Sequence, residues 1–152
     1  RGGGGDEAGK EVTGRKGRLL VDTMGWVLGV VVHAANIKDR DGAKLLFHRV
    51  KDCLPRLQLV WADGGYRGKL IAWLHGLTGW ALEIVRRGDD VTGFKGWPRR
   101  WVGERTFGWL GRYRRLSKDY EYLTATSEAM IHIAMIQLML RRLTRPALPA
   151  EP

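Results

Sequence analysis

Two carboxylates stand out by their company. Asp63 ends the run "LQLVWADGGYRG", where strand-forming residues give way to two glycines, Tyr66 and Arg67. Glu104 is the single acid of "RRWVGERTFGWLGRYRRL", residues 99–116, in which Arg99, Arg100, Arg105, Arg112, Arg114 and Arg115 surround it and Lys118 follows shortly after. An acid at the carboxyl end of a strand sits at the usual ligand edge of an α/β fold. Two such hard oxygen ligands converging in a positive surface are what a divalent ion such as Mg2+ requires while it neutralises an approaching phosphodiester. Each acid also has a plainer reading. Asp63 can close an Asx turn, and Glu104 can pair with Arg100 one helical turn away, which stabilises an exposed helix by only about 0.2–0.5 kcal/mol.

The elements that must position these acids are readable from hydrophobic periodicity. "GRLLVDTMG" and "WVLGVVVHAA" are short β-branched runs joined at Met24-Gly25, the pattern of an antiparallel hairpin. "DRDGAKLLFHRVKDCL" predicts a helix begun by Asp39 or Asp41, with Leu45, Leu46, Val50 and Leu54 as its apolar stripe. Residues 57–62 predict a strand central in a mixed sheet, "KLIAWLHGL" a second helix and "WALEIVRR" a further strand. Strands separated by helices favour parallel pairing beside the hairpin.

A polar, glycine-rich loop, "GDDVTGFKGWP", precedes the arginine-rich helix. At 100° per residue Val102, Thr106, Trp109, Tyr113 and Leu116 gather on one face, while Glu104 points away from that stripe with Gly108 and Gly111 nearby. The last helix, "SEAMIHIAMIQLMLRRL", is expected to be capped by Thr126 or Ser127. Its run from Met130 to Leu140 is apolar almost all round and too short to cross a membrane, so it is expected to bury against the sheet or a partner subunit.

At 152 residues, 44% hydrophobic and 28% charged, the chain suits one globular domain. Its 26 Lys and Arg against 16 Asp and Glu give +10, concentrated in residues 99–118 and at Arg141, Arg142 and Arg145. Clustered positive charge favours a phosphate-rich partner, duplex DNA ahead of an anionic membrane. Cys53, the single cysteine, excludes an internal disulfide and is expected to be a small buried hydrophobe. His33, His48, His75 and His132 show no metal-ligand spacing. Trp26, Trp61, Trp73 and Trp80 read as core, whereas Trp97, Trp101 and Trp109 surround the basic helix, where stacking on an extruded base is an option.

Three stretches, "GRKGRLLVDTMGWVLGVVVHAANIKDRDGA", "LQLVWADGGYRG" and "RRWVGERTFGWLGRYRRLSKDYE", together resemble the DDE transposases of bacterial insertion sequences, within the group that includes the IS4 and IS5 families. The resemblance spans roughly residues 10–143 and keeps the motifs in the family's order. It implies an α/β, RNase H-like fold in which a mixed sheet flanked by helices carries two aspartates and a helix carries a glutamate. It further implies DNA cleavage at element ends, strand transfer and two Mg2+ ions, with Mn2+ as a substitute. By that likeness Asp63 is the second aspartate and Glu104 the glutamate. A related signature places Trp97 where the family has tyrosine, Arg100 at its arginine and Gly111 at its lysine, so Arg112, Arg115 and Lys118 are all open as the missing cation.

The family's first aspartate lies on a strand ahead of the stretch matched here, so the chain is expected to begin after it. Asp22 is a weaker metal-ligand candidate, since its segment resembles the second strand; a turn or structural role is the favoured reading. The expected organisation is a flexible start at 1–14, a partial catalytic domain at 15–143 and a flexible tail at 144–152. Arg99, Arg100, Arg105, Arg112, Arg114, Arg115 and Lys118 are the expected DNA contacts, with Trp97 and Arg100 supporting Glu104. The partners implied are double-stranded DNA and further copies of the chain, with no membrane, in a cytoplasmic, bacterial setting. A catalytically silent DNA-binding protein is the second reading, and another RNase H-like nuclease the third.

Overall fold

The structure is a computed structural model and describes residues 14–85 and 99–144. β1 (Arg15–Val21) and β2 (Val27–Ala34) form the antiparallel hairpin that the Met24-Gly25 junction predicts. Asp22 builds its turn: Oδ1 accepts the backbone N–H groups of Met24 and Trp26 at 2.9 and 2.8 Å. Gly25 follows with φ +86°, a region in which L side chains are strained. α1 (Asp39–Val50) places Asp39 and Asp41 in its first turn, at the positive end of the helix dipole.

β3 (Leu59–Ala62) runs through Asp63 into a 3-10 turn, Gly64–Tyr66. α2 (Lys69–Thr78) then returns the chain to β4 (Ala81–Ile84), which pairs parallel with β3. After the undescribed stretch come α3 (Arg99–Leu110), a second 3-10 turn, Arg114–Leu116, and α4 (Thr124–Leu143).

The hairpin separates two apolar clusters because successive strand residues face opposite ways. Leu20 and Val31 join the main core with Ala43, Leu46, Phe47 and Val50 of α1, together with Val60, Leu70, Leu74, Trp80 and Leu82. Leu19 and Val27, on the other face, pack with Leu110, Ala134 and Met135. Small residues let α1 lie close on β2. A Cβ at Gly29 would come within 2.4 Å of Val50 Cγ1, and one at Gly42 within 2.2 Å of His33 Nε2.

Several expectations are corrected. Among the described residues there are two two-stranded sheets rather than one mixed sheet, and β3 pairs with β4 alone; the space between β1 and β3 is a groove. On α1 the buried stripe is Ala43, Leu46, Phe47 and Val50, and Leu45 is exposed, because the helix turns its Ala43–Phe47 side to the hairpin. Cys53, just beyond the end of α1, is exposed. Trp61 lies on the outer side of its strand at 36% exposure, where its Nε1 donates to Glu83.

The arginine-rich helix ends at Leu110, so Tyr113 and Leu116 reach the second cluster from the following turn and not along the helix stripe. No close approach explains Gly108, where an added Cβ meets nothing within 4 Å. α4 begins after Leu123, with no side-chain cap from Thr126 or Ser127. It buries only Ser127, Ala134 and Met135, leaving Ile133, Ile136, Leu140 and Leu143 exposed. The glycine-rich start through Thr13, the loop at 88–98 and residues 145–152 fall outside the described part.

Candidate active site

Asp63 directly follows β3, so the end of the strand sets its position. Its Oδ1 accepts the Gly65 N–H at 2.9 Å and caps the 3-10 turn. The Asx-turn reading of Asp63 is therefore realised, and it leaves Oδ2 on an exposed side chain. Beneath the turn lies a group that periodicity does not reveal. Arg18 of β1 donates to the Tyr66 hydroxyl at 2.9 Å and to Asp39, whose partner oxygen is Oδ1. That hydrogen bond, joined by the nearby positive charges, holds the Asp39 carboxyl below its ordinary range. Burial pushes the Tyr66 phenol up, and the negative charge of Asp63 adds to the effect. Only the adjacency of Tyr66 to "ADGG" signals any part of this group in the sequence.

Asp63 opens onto a cavity of about 250 Å³ floored by the main core. Its walls come from both sheets, Arg18 and Leu20 of β1 on one side and Trp61 and Ala62 of β3 on the other, and Phe107 of α3 reaches it as well. Glu104 is exposed one helical turn before Phe107. Phe107 is the residue of α3 that lines this cavity.

The opposite side of α3 holds the helix in place. Thr106 is fully buried, and its hydroxyl lies 2.8 Å from the Gly25 carbonyl and 3.1 Å from that of Val102. Arg105 donates to the Met24 carbonyl at 2.8 Å, with its guanidinium 5.1 and 4.8 Å from the Trp101 and Trp109 ring centres. Arg142 of α4 stacks 4.5 Å from Trp26 and 4.3 Å from Trp109. Trp109 therefore packs between two cations, and the Asp22–Trp26 turn is the seat of α3.

The expected DNA contacts divide accordingly. Arg105 is a packing residue that ties α3 to the hairpin. Arg115 donates to Glu121 at 2.7 Å, which raises its already high pKa. Arg112, Arg114 and Lys118 are exposed. Trp97 and the side chains of Arg99 and Arg100 lie outside the described part, so the Arg100–Glu104 pairing falls there too. Asp22 spends Oδ1 on two backbone amides at the hairpin turn. Among the described residues no three acids, histidines or cysteines lie together as a metal-binding group. No described helix is long and apolar enough to cross a membrane.

The sequence matches the transposase DDE domain over residues 2–139. This chain belongs to the DDE transposase domain family. Its members act in transposition by DNA cleavage and transfer, bind DNA and generally use divalent metal ions. Curated proteins and solved structures contain no match to the chain. In this DDE domain Asp63 at a strand end lines a cavity that Phe107 of the later helix also reaches, and Glu104 is exposed on that helix.

Proposed function

We propose that this DDE domain is part of an insertion-sequence transposase of the IS4 or IS5 kind, with an RNase H-like fold. It cuts duplex DNA at element ends and joins the freed 3′-hydroxyl to a target. The observation that carries the reading is the cavity lined by Asp63 and by Phe107, a residue one turn after Glu104 on the basic helix. The antiparallel hairpin followed by a parallel strand pair agrees with two parts of one RNase H-like sheet.

Asp63 and Glu104 offer the hard oxygen donors that suit Mg2+, or Mn2+ in its place. When bound, such ions neutralise phosphate charge and make water or a hydroxyl a better nucleophile. Two carboxylates are too few to organise two ions, so a third acid comes from chain outside the described residues, on the strand that the family places ahead of β1. Asp22 is not that acid in this reading, because its carboxylate is committed to the hairpin turn. Arg112, Arg114 and Lys118 meet phosphates, while Arg115 is shared with Glu121. Self-association on DNA is supported by the exposed apolar side of α4.

Mn2+ binding followed by electron paramagnetic resonance tests the pair. Asp63→Asn and Glu104→Gln should each weaken binding about tenfold, as expected for loss of one charged ligand among few. Affinity indifferent to both substitutions would sink the shared-metal reading. A catalytically silent DNA-binding domain is the second reading, favoured by the engagement of Asp63 Oδ1 in its own turn. It predicts salt-dependent DNA binding without Mn2+ affinity.

A further inference from the structure

The turn that carries Asp63 has little of its own to hold it. β3 supplies four residues, Leu59–Ala62, before the 3-10 turn Gly64–Tyr66, and beyond Tyr66 the chain reaches Gly68 at φ +93°. Gly64 and Gly65 lose more conformational freedom on ordering than any other residue type and have no side chain to anchor them. Tyr66 is therefore the one residue of that turn whose side chain can tie it down. Its ring packs against the main core, and its N–H donates to the Asp63 carbonyl at 3.2 Å, beside the bond from the Gly65 N–H to Asp63 Oδ1 at 2.9 Å.

What holds Tyr66 lies in the other sheet. Arg18 of β1, its side chain 17% exposed, uses both arms of its guanidinium: Nη1 donates to the Tyr66 hydroxyl at 2.9 Å and Nη2 to Asp39 Oδ1. The centre of the guanidinium also stands 5.9 Å from the Tyr66 ring centre. A planar fork with two partners fixes direction as well as distance. Asp39 is held in turn by the first turn of α1 and by Lys16, 3.7 Å from the same oxygen. The Arg18 hydrogen bond keeps its carboxyl below the ordinary range, and burial pushes the Tyr66 phenol up. At neutral pH the fork thus keeps one charged acceptor and one uncharged hydroxyl.

We infer that Arg18 and Tyr66 are positioning residues for Asp63: the forked contact from β1 and α1 fixes the Gly64–Tyr66 turn and, with it, the direction of the Asp63 carboxylate. They act through the turn and not on a reacting atom. The consequence for metal rests on the reading of Asp63 as a ligand, whereas the consequence for the turn does not. A ligand already ordered by supporting contacts binds without first being immobilised, and loss of such contacts typically weakens metal affinity or activity about 10–100-fold. A fork that served the fold alone would lower the thermal midpoint when removed and leave the bond between Gly65 and Asp63 in place.

Tyr66→Phe removes the hydroxyl and keeps the ring on the core. In the complete 152-residue chain it should speed amide exchange at Gly65 about tenfold and average the three-bond couplings that report the Asp63 rotamer, with far-UV circular dichroism and thermal midpoint close to the parent. Arg18→Lys, which retains the charge but not the fork, should produce the same changes at Gly65 and Asp63. Mn2+ affinity, followed by electron paramagnetic resonance, should fall about tenfold in Tyr66→Phe. The same change made on top of Asp63→Asn should weaken it little further, because the hydroxyl acts through that carboxylate. Unchanged exchange and couplings in both variants would overturn the inference, and so would an equal loss of Mn2+ affinity with and without the Asp63 carboxylate. Exchange and couplings that respond, with Mn2+ affinity indifferent to Asp63→Asn, would uphold the positioning and overturn the metal reading alone.

Discussion

The two sides of α3 have opposite characters. One side is locked: Thr106 is sealed beneath the Gly25 carbonyl, Arg105 grips Met24, and Trp109 stacks between Arg105 and Arg142. The other carries Trp101, Glu104 and Phe107 at the surface. The difference shows how an acid can be held in place without being buried. The helix is fixed through Arg105, Thr106 and Trp109, and Glu104 stays exposed.

The strongest way to break the comparison is to exchange the effects of the two sides. In a preparation that cleaves element ends, Glu104→Gln should lower Mg2+-dependent cleavage by ~100-fold or more, as loss of a metal ligand implies. Its thermal midpoint should stay within about a degree or two of the parent, since exposed substitutions rarely exceed ~0.5 kcal/mol. A large fall in that midpoint would show the exposed side to be structural. Gly25→Ala should do the reverse. The added Cβ meets Thr106 Oγ1 at 2.8 Å and φ is +86°, so a stability loss of about 2 kcal/mol or more is expected by denaturant unfolding.

Thr106→Val sharpens the locked side with little change in volume. Removing the buried hydroxyl should cost about 1–3 kcal/mol by the same measurement, because the Gly25 carbonyl loses its donor. Beyond α3, replacing Arg112, Arg114 and Lys118 by alanine should reduce the slope of log affinity for DNA against log salt by about 2–3. Arg115→Ala alone should change it less, since that guanidinium is shared with Glu121.

The smallest expected effect concerns pH. The Asp39 carboxyl is held below its ordinary value by Arg18, so its stabilising effect is present above the unfolded-state value and fades as pH falls through the lower folded-state value. Asp39→Asn should flatten the acid limb of the stability curve and leave the neutral region nearly unchanged.

What was legible in the sequence depended on the range of the interaction. The hairpin at Met24-Gly25, the helix opened by Asp39 and Asp41 and the placement of Asp63 at a strand end follow from local chemistry and short periods. The surroundings of Glu104 were only half legible. Its separation from the Val102–Thr106 stripe is a matter of helix angle, but the grip of Arg105 on Met24 joins residues from distant parts of the chain. Charge count alone gave no sign that Arg105 also packs against the hairpin, because nothing in a basic run distinguishes a solvated arginine from one stacked between tryptophans. The same limit applies to α4. Its all-round apolar run signals burial, yet only Ala134 and Met135 of its apolar residues are buried. Leu45 shows that two adjacent leucines compete for one stripe, and the direction in which α1 faces β2 decides between them.

The stacking of Arg142 on Trp26 and Trp109 also sets an order of events. It gathers the earliest hairpin, α3 and the end of α4 around one cation. Contacts between such distant stretches must first overcome the entropy of closing long loops, and they form late for that reason. A growing chain that has not yet reached Arg142 already contains both Asp63 and Glu104 but not the clamp that sets the bearing of α3. The bearing of α3 is thereby settled only after Arg142 has been made, later than the hairpin and α3 themselves.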